Sequence, residues 1–149
     1  MKYSMGVNLT AIRADLRTGS SEMDFKTVHS WLSGSYWSPG ISLEDVKRAA
    51  ENSSLVIGAF IDDKQVGYLR VVSDKTTFGW ICDVFVEETH RGHGIAKQLV
   101  KRAIEDAEHP NLRRWVLATR DAHTIYMACG FHPLKAHKRW LVMGSNPSV

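Results

Sequence analysis

His90-Arg91-Gly92-His93-Gly94-Ile95-Ala96-Lys97 stands where an apolar run gives way to a helical pattern. Glycines at a strand-to-helix junction let backbone N–H groups converge on an anion at the positive end of the helix. Arg91 and Lys97 add cationic charge at the same point. These residue types at this spacing point to the binding of a phosphorylated ligand. Further along, Tyr126 offers a phenol that stays protonated at neutral pH and can donate its proton. Asp83 places a carboxylate inside an otherwise apolar run, where an unpaired charge is costly.

The loop is not one of the better-known phosphate binders. A P-loop needs G-x-x-x-x-G-K-[ST], and Gly94-Ile95-Ala96-Lys97 has neither the spacing nor the hydroxyl for magnesium. A dinucleotide fingerprint needs a third small residue where Lys97 stands. His90 and His93 form an H-x-x-H pair, but no third ligand has metal-site spacing, so no metal is expected.

The elements that must position these groups follow from periodicity. Thr77 to Val86 reads as the strand entering the loop, with β-branched and aromatic residues in Trp80-Ile81-Cys82-Asp83-Val84-Phe85-Val86. Gly94 to about Ala107 reads as an amphipathic helix, stopped ahead of Pro110. Leu9 to Leu16 predicts a first strand, with Thr18-Gly19-Ser20-Ser21 as its exit turn. Asp24 and Ser42 are placed to cap two helices, ending near Leu32 and Glu51. Leu55–Ile61 and Val66–Val72 read as a hairpin around Asp62-Asp63-Lys64-Gln65. Leu112–Thr119, a short helix around Tyr126 and a final strand near Arg139–Met143 complete the order. The tail from Gly144 to Val149 is expected to be loose.

Arg91-Gly92-His93-Gly94-Ile95-Ala96 matches R-x-x-G-x-A and resembles the pyrophosphate loop of the GNAT superfamily of N-acetyltransferases. Ala122, Tyr126, Gly130 and Phe131 fall in register with a second signature of that family, N-x-x-A-x-x-x-Y-x-x-x-G-F, with Thr119 in the Asn position. The resemblance spans roughly residues 8–143. It implies an α/β (α+β) fold with a mixed, mostly antiparallel sheet, the order β-α-α-β-β-β-α-β-α-β, and helices on both faces. It also implies acetyl-coenzyme A as cosubstrate and direct attack by a primary amine. In that scheme Arg91, Gly92, His93, Gly94, Ile95 and Ala96 cradle the diphosphate, with Lys97 as an added charge. The main chain of Val84, Phe85 and Val86 holds the pantetheine arm and polarises the carbonyl. Thr119 replaces the Asn that bonds that arm, and Tyr126 is the general acid. No metal is implied.

Other roles stay open at this level. Asp83 faces the acceptor as a catalytic group, caps a neighbouring backbone, or pairs with Arg120. His123, one helical step before Tyr126, either shares its face or is a solvated surface residue. Trp31, Tyr36 and Trp37 lie in a Gly/Ser/Pro-rich connection and form either an acceptor wall or the packing that pins the first helix. The acceptor expected from such a wall is a small-molecule amine. A coenzyme A-binding module without catalysis and a protein acetyltransferase are the alternatives.

The 149 residues make one domain, 44% hydrophobic and 23% charged. No run of about 18 apolar residues is present, so no membrane-spanning helix is expected. The net charge of +3 is dispersed and carries no nucleic-acid motif, which argues against a nucleic-acid partner. Met1–Val7 lacks the pattern of a secretory signal. Cys82 and Cys129 sit in apolar surroundings, so free thiols in a reducing cytoplasm are expected. A homodimer is compatible with the resemblance, and no sequence feature marks an interface.

Overall fold

The computed structural model describes residues 10–144. A five-stranded sheet in the order β1-β2-β3-β4-β5 divides the fold into two cores. Its strands are β1 (Asp15–Thr18), β2 (Leu55–Ile61), β3 (Lys64–Ser73), β4 (Phe78–Val86) and β5 (Arg114–Val116). The first four pair antiparallel, and β5 joins β4 in parallel. Helices α1 (Phe25–Ser33) and α2 (Leu43–Glu51) cover one face, while α3 (Ile95–Glu105) and α4 (His123–Met127) cover the other.

Local chemistry explains these elements. The Asp24 carboxylate accepts the Thr27 N–H at 3.2 Å, and the Ser42 hydroxyl accepts the Asp45 N–H at 3.1 Å. Each bond satisfies one N–H that a helix start leaves unpaired. Apolar residues at helical spacing, Val28 and Leu32 on α1 and Val46 and Ala50 on α2, are then buried together. Strand alternation assigns the sheet residues: Val56, Phe60 and Tyr68 face these helices, whereas Ile57, Leu69, Val71 and Ile81 face α3. Asp62 and Asp63 both adopt left-handed backbone, φ 48° and 62°, which closes the β2–β3 hairpin with matching twist. At Gly67 a side chain would come within 3.2 Å of Leu99, so its absence lets α3 lie close against β3.

The expected fold class is present, with corrections at both ends. The first strand begins at Asp15 and extends through Thr18, a residue expected in the exit turn. Residues 12 and 14 are bonded to a side chain instead of a strand: Gln98 accepts the Ala14 N–H at 3.0 Å and donates to the Ile12 carbonyl at 2.6 Å. Leu9 lies outside the described residues. At the other end, the strand expected over Arg139–Met143 does not form. His137–Arg139 make a single 3-10 turn, and Leu141 and Met143 are 96% and 99% exposed. Strand-forming residues need a ladder to join. Their candidate neighbour β5 carries ladder pairing over three residues only, not the expected Leu112–Thr119. Most of the expected tail, residues 145–149, lies outside the description. Among the described residues, no helix is long and apolar enough to cross a membrane, and no group of three potential ligands could hold a metal ion.

Candidate active site

The end of β4, the loop after it and the start of α3 form one continuous structure. Gly92 and Gly94 both have φ 82°, and Gly94 is the residue from which α3 departs. No side chain caps that helix start, so its N–H groups face outward at the positive end of the dipole. The loop is fastened from within. Arg91 donates from Nε to the Val86 carbonyl at 2.9 Å, and its guanidinium lies 5.1 Å from the Phe85 ring centre. Phe85 in turn stacks on Trp31, with centroids 5.2 Å apart and planes at 16°. The two glycines thus sit in a loop whose arginine is anchored while its terminal N–H groups remain available to an anion.

A cleft of about 720 Å³ opens beside this loop. Val84, Phe85 and Val86 form one wall, and Arg91, Gly92, Gly94, Ile95, Ala96 and Lys97 lie at one end. Tyr36 and Trp37 line it from the α1–α2 connection, and Tyr126 lines it from α4. The α1–α2 connection is joined to the loop ahead of α4: the Tyr36 hydroxyl accepts the Arg120 N–H at 3.0 Å, and the Arg120 guanidinium sits 4.0 Å from the Tyr36 ring centre. A second groove of about 670 Å³, between residues 13–16 and α3, contains none of the candidate chemical residues.

Tyr126 is 9% exposed, and its ring meets Phe131 edge-on at 6.3 Å. Burial, reinforced by nearby Tyr36, pushes its phenol up to about 12. It therefore stays a hydrogen-bond donor at any physiological pH. Gly130, at φ 99°, ends the helical segment, and Phe131 donates its N–H back to the Tyr126 carbonyl at 3.1 Å.

Several expected residues lie elsewhere than expected. His93 is in the loop, but its ring is absent from the cleft lining. Its Nδ1 donates to the Thr10 carbonyl at 2.7 Å, and its own carbonyl accepts the Ile12 N–H at 3.1 Å. Thr119 uses its hydroxyl to accept the Ala122 N–H at 3.0 Å and does not line the cleft. His123 is exposed at the start of α4, also outside the lining. Trp31 backs the wall through Phe85 without reaching the opening. Asp83 does not pair with Arg120, which bonds Asp121 at 3.4 Å. Instead one Asp83 oxygen accepts Trp37 Nε1–H at 2.8 Å and the other accepts Arg70 Nε–H at 2.6 Å.

Arg70, Gln98 and the Tyr36–Arg120 contact carry no local signal, because each acts on a residue 13 or more positions away. Cys82 and Cys129 are both free, and burial pushes the Cys82 thiol up to about 11, so it is unreactive at neutral pH.

An uncapped helix start behind paired glycines, an adjoining strand end and a buried phenol thus lie along one cleft. The chain belongs to the acetyltransferase (GNAT) family, whose sequence model matches residues 19–131. It is 36% identical to a solved GNAT-family chain from Xanthomonas campestris pv. campestris, covering 90% of this chain and 94% of that one with a TM-score of 0.84. A curated protein of Gibberella zeae, named as an acetyltransferase, is 36% identical over 61 residues. That match covers 39% of this chain and 33% of the curated protein. An acetyltransferase from Clostridium acetobutylicum, solved with acetyl-coenzyme A, shares the fold at 18% identity with a TM-score of 0.64, covering 89% and 96% of the two chains.

Proposed function

We propose that this acetyltransferase moves an acetyl group from acetyl-coenzyme A to the primary amine of a small molecule. The carrying observation is the single cleft in which the start of α3, the end of β4 and Tyr126 meet. The loop from Arg91 to Ala96, with Lys97, receives the diphosphate; a similar fold solved with acetyl-coenzyme A supports the choice of cosubstrate. Main-chain groups of Val84–Val86 run along the pantetheine arm, and a backbone N–H there polarises the thioester carbonyl. A neutral amine attacks that carbon, the C–N bond forms and the C–S bond breaks. Tyr126 donates its hydroxyl hydrogen to the departing sulfur, and the proton lost by the nitrogen returns to the phenolate through water.

Because a phenol near 12 releases its proton reluctantly, Tyr126 contributes mainly as a donor aimed at charge developing on sulfur. The rings of Tyr36 and Trp37 at the cleft give the acceptor an aromatic surface that suits a small amine better than an extended peptide. Two free, sheltered cysteines suit a reducing cytoplasm.

Thermal unfolding with and without acetyl-coenzyme A, followed by a thiol-release assay over a panel of amines, tests this reading. An upward shift and amine-dependent thiol release are expected. Tyr126→Phe should lower kcat by about 10²–10⁴-fold with the cofactor-induced shift retained. No shift at millimolar cofactor overturns the assignment, and a shift without thiol release for any amine overturns the catalytic part alone.

A further inference from the structure

Asp83 is the one residue of β4 with left-handed backbone, at φ 55°. A side-chain-bearing residue holds that conformation within a strand only where its surroundings over-determine it. The pairing shows the consequence. Tyr68 lies opposite Phe85 and Arg70 opposite Cys82, so Leu69 alone faces both Asp83 and Val84. This is a β-bulge, which bends its strand and leaves one residue outside the regular ladder. The next three residues, Val84–Val86, are those that line the cleft. The kink at Asp83 therefore sets the direction in which the cofactor-facing main chain leaves the sheet.

The Asp83 carboxylate stands at the kink. It joins three separate segments: β3 through Arg70 at 2.6 Å, the α1–α2 connection through Trp37 at 2.8 Å, and β4 itself. Arg70 is steadied by a 3.4 Å bond to the Ser53 hydroxyl. The Asp83 and Arg70 side chains are 8% and 18% exposed, so their attraction is weakly screened by solvent. Asp83 is absent from the cleft lining whereas Trp37 belongs to it, which places the carboxylate behind the wall.

The geometry points to Arg70, Asp83 and Trp37 as a positioning unit: they lock the β4 bulge so that Val84–Val86 meet the thioester, and Asp83 serves by geometry and not as the proton acceptor for the amine. This rests on the acetyl-transfer reading above.

Three replacements at Asp83 separate the possibilities, read by unfolding midpoint, acetyl-coenzyme A Kd and steady-state thiol release. Asparagine tolerates left-handed backbone and still accepts the indole N–H. Glycine tolerates it with no anchor, and alanine has neither advantage. A positioning role predicts the order Asn, Gly, Ala in midpoint, kcat and affinity alike. Asp83→Asn should stay within about tenfold of wild type, since it keeps the kink, and Asp83→Ala should fall at least about tenfold below Asp83→Gly. Arg70→Met should resemble Asp83→Gly.

Equal losses of about 10²-fold or more in all three, with Kd unchanged, would make Asp83 a general base and overturn the proposal. The same midpoint order with wild-type kcat and Kd would reduce the unit to a purely structural lock and also overturn it. An alanine variant as stable as the glycine variant would show that the kink is not held in this way. A wild-type protein that releases no thiol would instead remove the acetyl-transfer reading, while the midpoint order and the ordering of cofactor Kd still decide whether the unit sets the kink.

Discussion

Gly94→Ala isolates the backbone geometry of the loop from every packing effect. At this position φ is 82°, and an added Cβ meets nothing within 4 Å. The whole cost is therefore the left-handed conformation itself, about 1–2 kcal/mol for an L-residue. For a chain of this size, 1 kcal/mol moves the unfolding midpoint by about 2–4 °C, so a fall of about 2–8 °C is expected. The consequence for binding is separable. If the alanine loop relaxes in the free protein, the N–H groups at the start of α3 swing away, and cofactor binding must restore them. The same 1–2 kcal/mol then appears as a rise of about 5–30-fold in the acetyl-coenzyme A Kd. Calorimetric titration beside a thermal melt measures both quantities. Gly94→Asn is the control, since asparagine visits this backbone region at lower cost, and it should lie between wild type and alanine in both assays. A lowered midpoint with unchanged Kd would show that the strained loop is retained in the free protein and would refute the relaxation. No change in either quantity would refute the strain argument itself.

His109 gives a pH-dependent prediction. It is 2% exposed, its Nε2 lies 2.8 Å from the Ser54 hydroxyl, and burial holds its imidazole below the ordinary value. The unfolded chain then binds more protons than the folded one below about pH 6.5, so stability present above that pH is lost as pH falls toward the depressed folded value. The midpoint of wild type should fall between pH 7 and 5 more steeply than that of His109→Asn; parallel slopes would show that this ring does not govern the loss. Two leucines test the contrast between core and C-terminal segment. Leu99→Ala, at 0% exposure, should cost about 2–5 kcal/mol in urea denaturation. Leu141→Ala, at 96% exposure, should stay within about 0.5 kcal/mol of wild type, and a larger loss would mean that residues 140–143 are packed in solution.

The parts of the site written in consecutive residues were readable in the sequence. The strand, the paired glycines and the helix from Ile95 form a local unit whose geometry follows from residue type, and the structure reproduces it. The two helix caps and the hairpin turn are local in the same sense. Asp83 shows where such reading stops. An acid in an apolar strand announces that something must compensate it, but the compensating groups lie 13 and 46 positions away and meet it only once the sheet and the α1–α2 connection are assembled. His93 shows the same limit: its place in a glycine loop says nothing of where its ring goes, and the ring and carbonyl bond Thr10 and Ile12. The opposite error occurs at Arg139–Met143. Residue types there favour a strand, yet strand formation is a property of a pair, and the partner edge is three residues long.

Gln98 alters the sense in which the start of this fold is robust to mutation. An ordinary strand pair fixes its register through main-chain groups that nearly every amino acid possesses, so substitutions pass with little effect. Here residues 12–14 are held by one carboxamide, which accepts at 3.0 Å from Ala14 and donates at 2.6 Å to Ile12, beside the His93 carbonyl that accepts the Ile12 N–H at 3.1 Å. Glutamate is nearly isosteric but has no N–H to give, so the most conservative-looking exchange would set a carboxylate oxygen against a carbonyl. A half-exposed polar position on an amphipathic helix, ordinarily among the freest to drift, thereby becomes one where the exchange of a single atom bears on how the chain enters its sheet.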